Sequence, residues 1–158
     1  MSSFLRDAGA DARIEEFSAG TPTAAEAAAA VGCELGQIVK SLVVLCDGKP
    51  VVALVPGDRR GDTDKIARAA GADSARIARA HEVEQATGFA PGAVAPFPLP
   101  HVDTVLMDRR LLEHRIVWAG AGSSSHIVGL APHELARLSR ARPLDVVTNY
   151  DSAGERES

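Results

Sequence analysis

Cysteine is scarce in this sequence: Cys33 and Cys46 are the only two among 158 residues. Two thiols build neither a disulfide framework nor a four-ligand zinc site. Cys46 lies in an apolar run and reads as a small core residue. The five histidines, at 81, 101, 114, 126 and 133, show no HExxH or related ligand spacing. No metal and no cofactor are therefore expected. No stretch approaches the roughly 18–20 continuous apolar residues that span a bilayer. Met1 to Arg13 lacks a basic region followed by an apolar block, so no signal peptide is expected either, and the expectation is a cytoplasmic protein with no membrane partner. The formal net charge of −4 argues against a protein that coats nucleic acid through a broad cationic face. A small patch for one nucleic-acid end stays open. Arg59-Arg60, Arg109-Arg110 and the trio Arg137, Arg140, Arg142 are candidates, though each reads equally well as solvated arginines. Also missing is a GxGxxG segment between a strand and a helix, which disfavours a doubly wound nucleotide-binding fold.

What is present is ordinary globular composition, 46% apolar and 24% charged. The length suits one domain, expected over 1–148, followed by a polar tail over 149–158 that reads as disordered. Arg13 to Phe17 predicts a short strand after a fraying first helix. Thr23 and Glu26 have capping-box spacing, which predicts a helix over 24–31 closed by Gly32, with one more turn at Glu34 to Gln37. Two β-branched runs, Ile38 to Cys46 and Lys49 to Pro56, flank Asp47-Gly48 and predict a hairpin. Both runs are apolar on successive positions, as strands covered on both faces are. Further helices are expected over 63–70, capped by Asp62 and closed by Gly71, and over 81–87, stopped by Gly88. A strand is expected over 75–78. Val102 to Met107, Arg115 to Ala119 and His126 to Leu130 read as strands, Asp108 to Leu112 as a turn, and Ala131-Pro132 as a helix start. Hairpins with inserted helices predict an α+β domain, with a mixed, mostly antiparallel, curved or barrel-like sheet and flanking helices.

Two features could carry chemistry. Lys40 interrupts an apolar strand between Val39 and Leu42. Its bland reading is a stem laid on apolar surface with the ammonium in water. The sharper reading is a cation aimed into a pocket for a phosphate, hydroxyl or carbonyl. The second feature is the Pro/Gly-rich segment from Gly88 to His101. A stiff loop with glycines lets a ligand approach backbone N–H groups, the donors an acyl-transfer oxyanion needs. Such loops also simply cover cores. Gly120 to Ser125 has the same two readings.

The order of T-x-T-A-A-E-A-A, G-Q-I-V-K-S-L-V-V, T-G-F-A-P-G-A-V-A-P-F, V-W-A-G-A-G and P-H-E-L resembles the YbaK/EbsC family, the prolyl-tRNA-synthetase-associated domain. The likeness covers roughly residues 20–147. It implies a YbaK-like α+β fold and the removal of wrong amino acids from tRNA. Carried over position by position, Lys40 matches the lysine of the family's substrate pocket, and Gly92 and Pro96 match the ends of its GxxxP loop. These three are the catalytic candidates. On the substrate side the resemblance implies Thr21, Lys65, Gly88, Ala93, Val94, Ala95, His101, Gly120, Gly122 and His126. His126 follows the A-G-A stretch one residue sooner than in the synthetase-inserted version. Two departures stand out: Pro96-Phe97-Pro98 where many relatives read P-x-G, and Gly122-Ser-Ser-Ser125 in place of a basic stretch.

The reaction expected from this resemblance is hydrolysis of the ester of mischarged aminoacyl-tRNA, for a small amino acid such as Ala, Ser, Thr or Cys. Ser123 to Ser125 lacks the nucleophile elbow, so water or a group of the substrate would attack, with Lys40 facing the glycine–proline rim. The expected partner is the 3′ acceptor end of aminoacyl-tRNA, with an aminoacyl-tRNA synthetase as a second possibility. The oligomer would be a monomer or homodimer. Three other readings compete: a tRNA- or nucleotide-binding module that hydrolyses nothing, a synthetase-interacting protein, and a small-molecule esterase.

Overall fold

The computed structural model describes the backbone of residues 12–16 and residues 23–89, 94–97, 99, 101–120 and 126–148. The expected amino-terminal helix and the 149–158 tail lie outside these. Five strands form a mixed sheet in the order β4-β2-β3-β5-β8: β2 (Val39–Cys46), β3 (Lys49–Pro56), β4 (Ala75–Ile77), β5 (Thr104–Asp108) and β8 (Arg142–Leu144). A second, antiparallel sheet has the order β1-β7-β6: β1 (Ala12–Glu16), β6 (Val117–Gly120) and β7 (His126–Leu130). Four α-helices complete the described fold: α1 (Ala24–Val31), α2 (Thr63–Ala70), α3 (Ala80–Thr87) and α4 (Pro132–Ser139). The pairs β3–β5 and β5–β8 are parallel and all others antiparallel. This is the expected α+β architecture.

Local chemistry explains the elements that position the site. In α1, Thr23 Oγ1 accepts from Glu26 N at 3.1 Å, and Glu26 Oε1 accepts from Thr23 N at 2.8 Å. Two orphan donors of the first turn are thereby satisfied. Gly32 ends the helix at φ +74°, a backbone conformation in which a Cβ would be strained. The β2–β3 hairpin turns through Asp47 and Gly48, with φ of 50° and 85°. Positive φ at both central residues suits the right-handed twist of the two strands. The Asp47 carboxylate then accepts from Asp73 N and Ser74 N at 3.0 and 3.1 Å, which pins the turn to the approach to β4.

Strand alternation sorts the side chains into layers. Val39 and Val43 of β2, Val52 and Leu54 of β3, and Val105 and Met107 of β5 face one core, shared with β6, β7, α3 and α4. Val44, Cys46, Val51, Ala53, Val55 and Leu106 face the other, with Ile66 of α2 and Val146 and Val147. On the outer side of the small sheet, α1 lays Ala27 and Ala28 against Trp118 and Ile127. A Cβ on Gly129 would lie 2.7 Å from Trp118 Cζ3, so the indole sits where only glycine leaves room. The successive apolar positions of β2 and β3 thus mark central strands. β8 is the element that sequence reading missed: three residues, one a proline, on an edge, paired only because the chain returns beside β5.

Candidate functional site

Lys40 is the second residue of β2 and pairs with Val55. By alternation it shares the face of Leu42 and Val44, toward the α2 layer. The loop after β3 folds over it. That loop closes tightly: Gly57 N donates to Ile38 O at 2.7 Å, and a Cβ on Gly57 would lie 2.9 Å from Leu35 O. The Lys40 ammonium donates to Arg59 O at 3.2 Å. Burial first, and then the neighbouring Arg60 guanidinium, push its pKa below the ordinary lysine value.

The carboxy-terminal segment fixes this loop in place. Asp62 N donates to Val146 O at 2.9 Å, Gly61 bridges Val147, and Thr148 N donates to Arg60 O at 3.0 Å. The segment is itself held by a charged network. Asp108, with none of its surface exposed, accepts from Val146 N at 3.1 Å and from Arg110 N at 3.1 Å. Arg110 Nη1 reaches both Asp108 and Asp145 at 3.3 Å. Lys65 Nζ reaches Asp145 at 3.0 Å and Val147 O at 2.7 Å. The hydrogen bond from Lys65 holds the Asp145 carboxyl below its ordinary pKa, against the opposing effect of burial. Asp108 and Asp145 had no signal in the sequence: both look like turn residues until the chain brings them together.

The remaining expected site residues fall in several places. Ile38 makes a parallel bridge to Trp118, joining β2 to the small sheet. Lys40 and Gly120 each stand two residues beyond that bridge. Gly120 pairs with Ile127, so His126 sits at the same end. Lys40, Gly120 and His126 therefore lie at register positions toward one end of the junction between the sheets. Val94, Ala95 and Pro96 are buried, and Val94 and Phe97 pack into the core on the opposite face of the large sheet from the Lys40 side chain. Gly88 ends α3 at φ +78°. His101 lines a hollow of ≈ 300 Å³ with Cys46, Lys49, Asp103 and Thr104. Six residues of strand separate Cys46 from Lys40, roughly 20 Å, so the structure does not bring His101 to the lysine. Thr21, Gly92, Ala93 and Gly122 lie outside the described residues, as does the 121–125 connection.

The candidate basic patches also resolve. Arg110 is engaged by Asp108 and Asp145, Arg137 by Glu134 at 2.8 Å, and Arg142 by the Ala69 carbonyl at 2.8 Å. Both cysteines have pKa values raised chiefly by burial, which keeps them as protonated thiols at neutral pH.

Comparison with known proteins agrees with this architecture. Residues 18–138 match the family model of the aminoacyl-tRNA editing domain. The uncharacterized protein YwhH of Bacillus subtilis is 31% identical over 140 residues, 87% of this chain and 88% of YwhH. A proline–tRNA ligase of Maridesulfovibrio salexigens is 31% identical over 90% of this chain, which spans only 25% of that enzyme. A solved structure described as "a putative trans-editing enzyme for prolyl tRNA synthetase" superposes with a TM-score of 0.82 at 36% identity, covering 94% of this chain and 99% of that one. No helix among the described residues is long and apolar enough to cross a membrane. With its fold, its order of elements and most of its length accounted for in this way, the chain belongs to the aminoacyl-tRNA editing domain family.

Proposed function

We propose that this protein hydrolyses the ester linking a wrongly attached small amino acid to the 3′ end of tRNA. The observation that carries the reading is Lys40. Lys40 is exposed, its ammonium donates to the Arg59 carbonyl in the loop after β3, and among the described residues it has no carboxylate partner. An exposed cation with a single carbonyl partner keeps donors for an anionic or carbonyl ligand. Lys40 anchors the terminal nucleotide or polarises the ester.

An aminoacyl ester is already activated, so water suffices as the nucleophile. The protonated state of Cys33 and Cys46 supports that choice, since the thiolate is the reactive form. The backbone N–H of Gly120 is proposed to hold the developing oxyanion, a role worth ~2.7–4 kcal/mol per donor. Selection of a small amino acid follows from exclusion by clash. A missing methylene alone would change binding by only ~1–3 kcal/mol.

The test is to incubate the protein with each correctly and incorrectly charged tRNA and follow loss of the labelled amino acid. Release confined to a few small mischarged residues is the expected result. A protein that binds these tRNAs yet releases nothing would be a binding module instead. One that co-purifies with a synthetase and leaves every ester intact would be an interaction protein.

A further inference from the structure

We infer that the hollow at the turn end of the β2–β3 hairpin is a second binding site, one that takes a free small α-amino acid as its zwitterion. It lies apart from the site proposed for the ester. Cys46 in its lining is six residues of strand from Lys40, roughly 20 Å.

The fold makes this hollow by ending three elements together. β3 and β5 are parallel, with Val51 opposite Thr104, so both strands begin at this end. Lys49, the first residue of β3, and Asp103, the last before β5, both line it. Helix α2 stops at Ala70, where Gly71 takes φ +70°, and Ala70 forms part of the wall. Cys46 and Val51 are buried and, with Pro50, give the lining apolar surface. The volume of ≈ 300 Å³ stands at the small end of the range for ligand pockets and suits a ligand well below drug size.

The charges choose the ligand. Lys49 and Asp103 are both exposed at the rim. Among the described residues neither forms a side-chain hydrogen bond or an ion pair, with each other or with any other group. Lys65, Arg76, Arg110 and Arg137, by contrast, each hold a carboxylate. A cation and an anion that share one small hollow without pairing are both met only by a ligand that carries both signs. An α-amino acid carries both on a single carbon. Its carboxylate accepts from Lys49 Nζ, its ammonium donates to Asp103, and a short side chain lies on Val51 and Ala70. The Thr104 hydroxyl and the His101 imidazole add hydrogen-bonding groups to the same lining. A plain anion would meet like charge at Asp103, and a plain cation would meet it at Lys49.

The test is titration of the whole protein with L-alanine, followed by amide NMR, beside alaninol, which lacks the carboxylate, and propionate, which lacks the ammonium. L-Alanine is expected to shift the Cys46, Val51 and Thr104 amides saturably. The two analogues should bind about tenfold more weakly, the low end for a hydrogen bond to a charged group. Lys49→Gln should bind L-alanine no better than alaninol, and Asp103→Asn should bind it no better than propionate. Lys49→Arg should keep most of the preference, since the charge is retained. All three variants should keep the wild-type amide pattern away from the hollow. Absence of saturable shifts there, or a preference that survives both Lys49→Gln and Asp103→Asn, overturns the inference. Shifts that saturate only near Lys40 and Gly120 and vanish in Lys40→Ala overturn it too, and would support the editing reading by putting the product at that site. Saturation at the hollow in a protein that hydrolyses no charged tRNA leaves the inference standing and sinks the deacylase reading.

Discussion

Lys40 of β2 reaches the loop between β3 and α2, Lys65 of α2 reaches the carboxy-terminal segment that fixes that loop, and the fold treats the two in opposite ways. Lys65 is mostly buried and saturated, with Asp145 at 3.0 Å and the Val147 carbonyl at 2.7 Å. Lys40 has one backbone carbonyl at 3.2 Å, and its neighbour is another cation. Lys65 closes the structure by tying the carboxy-terminal segment to α2. Lys40 is left with unused donors in a partly desolvated place. Two residues of one type, one loop apart, thus separate the cation that holds the fold from the one that is free to hold a ligand.

The comparison can be broken at four points. The largest effect is expected at Asp108, which anchors the segment that fixes the loop. Asp108→Ala leaves the Val146 N–H and the Arg110 guanidinium without their buried acceptor, a loss of ~3 kcal/mol in urea unfolding. A stability within 1 kcal/mol of wild type would show that the network does not hold this segment. Next, Lys40→Ala should reduce kcat/KM for mischarged tRNA by ~10²-fold while leaving circular dichroism and unfolding unchanged. Full activity in this variant removes the lysine from the mechanism.

Lys65→Ala should behave in the contrary sense. It should cost about 2 kcal/mol of stability, on the scale of hydrogen bonds to a charged group, with a smaller loss of activity than Lys40→Ala under conditions where both variants are folded. Equal activity losses would erase the distinction between the two lysines. The smallest effect concerns a pair remote from both. Arg76 grips Glu82 at 2.7 and 2.9 Å and, by that hydrogen bonding, holds the Glu82 carboxyl down at about 2. A carboxyl whose pKa is depressed on folding stabilises the protein above its ordinary 4.5 and loses that contribution as pH falls toward about 2. Glu82→Gln should flatten the stability profile in that window and lower stability slightly at neutral pH, where the carboxylate's contribution is fully present.

Much of the scaffold was legible because its signals are local. Thr23 with Glu26, Asp47-Gly48, Asp62 with Gly71, and Gly88 each mark a cap or turn within four residues of the element they bound, and the structure uses each in that way. The unbroken apolar runs of β2 and β3 foretold central strands. The site was less legible. Lys40 stood out as a cation in an apolar strand, but its neighbours could not be read. His101 was grouped with it and lies at the other end of the hairpin, beside Cys46 and Lys49. Val94 and Phe97 pack beneath the sheet face that Lys40 turns away from. Of the seven arginines in three candidate patches, Arg110, Arg137 and Arg142 proved to be engaged within the fold.

The sequence by itself determined most of the secondary elements and the hairpin at the centre of the sheet, because caps, turn residues and apolar runs act over a few neighbouring residues, while the order of its motifs carried the resemblance to the family. Tertiary structure decided which charges are paired. Asp108, Arg110, Asp145 and Lys65 become a network only when β8 and the segment after it return beside β5. Coulomb forces and hydrogen bonds depend on distance in space, and residues eighty apart along the chain can lie 3 Å apart in the fold.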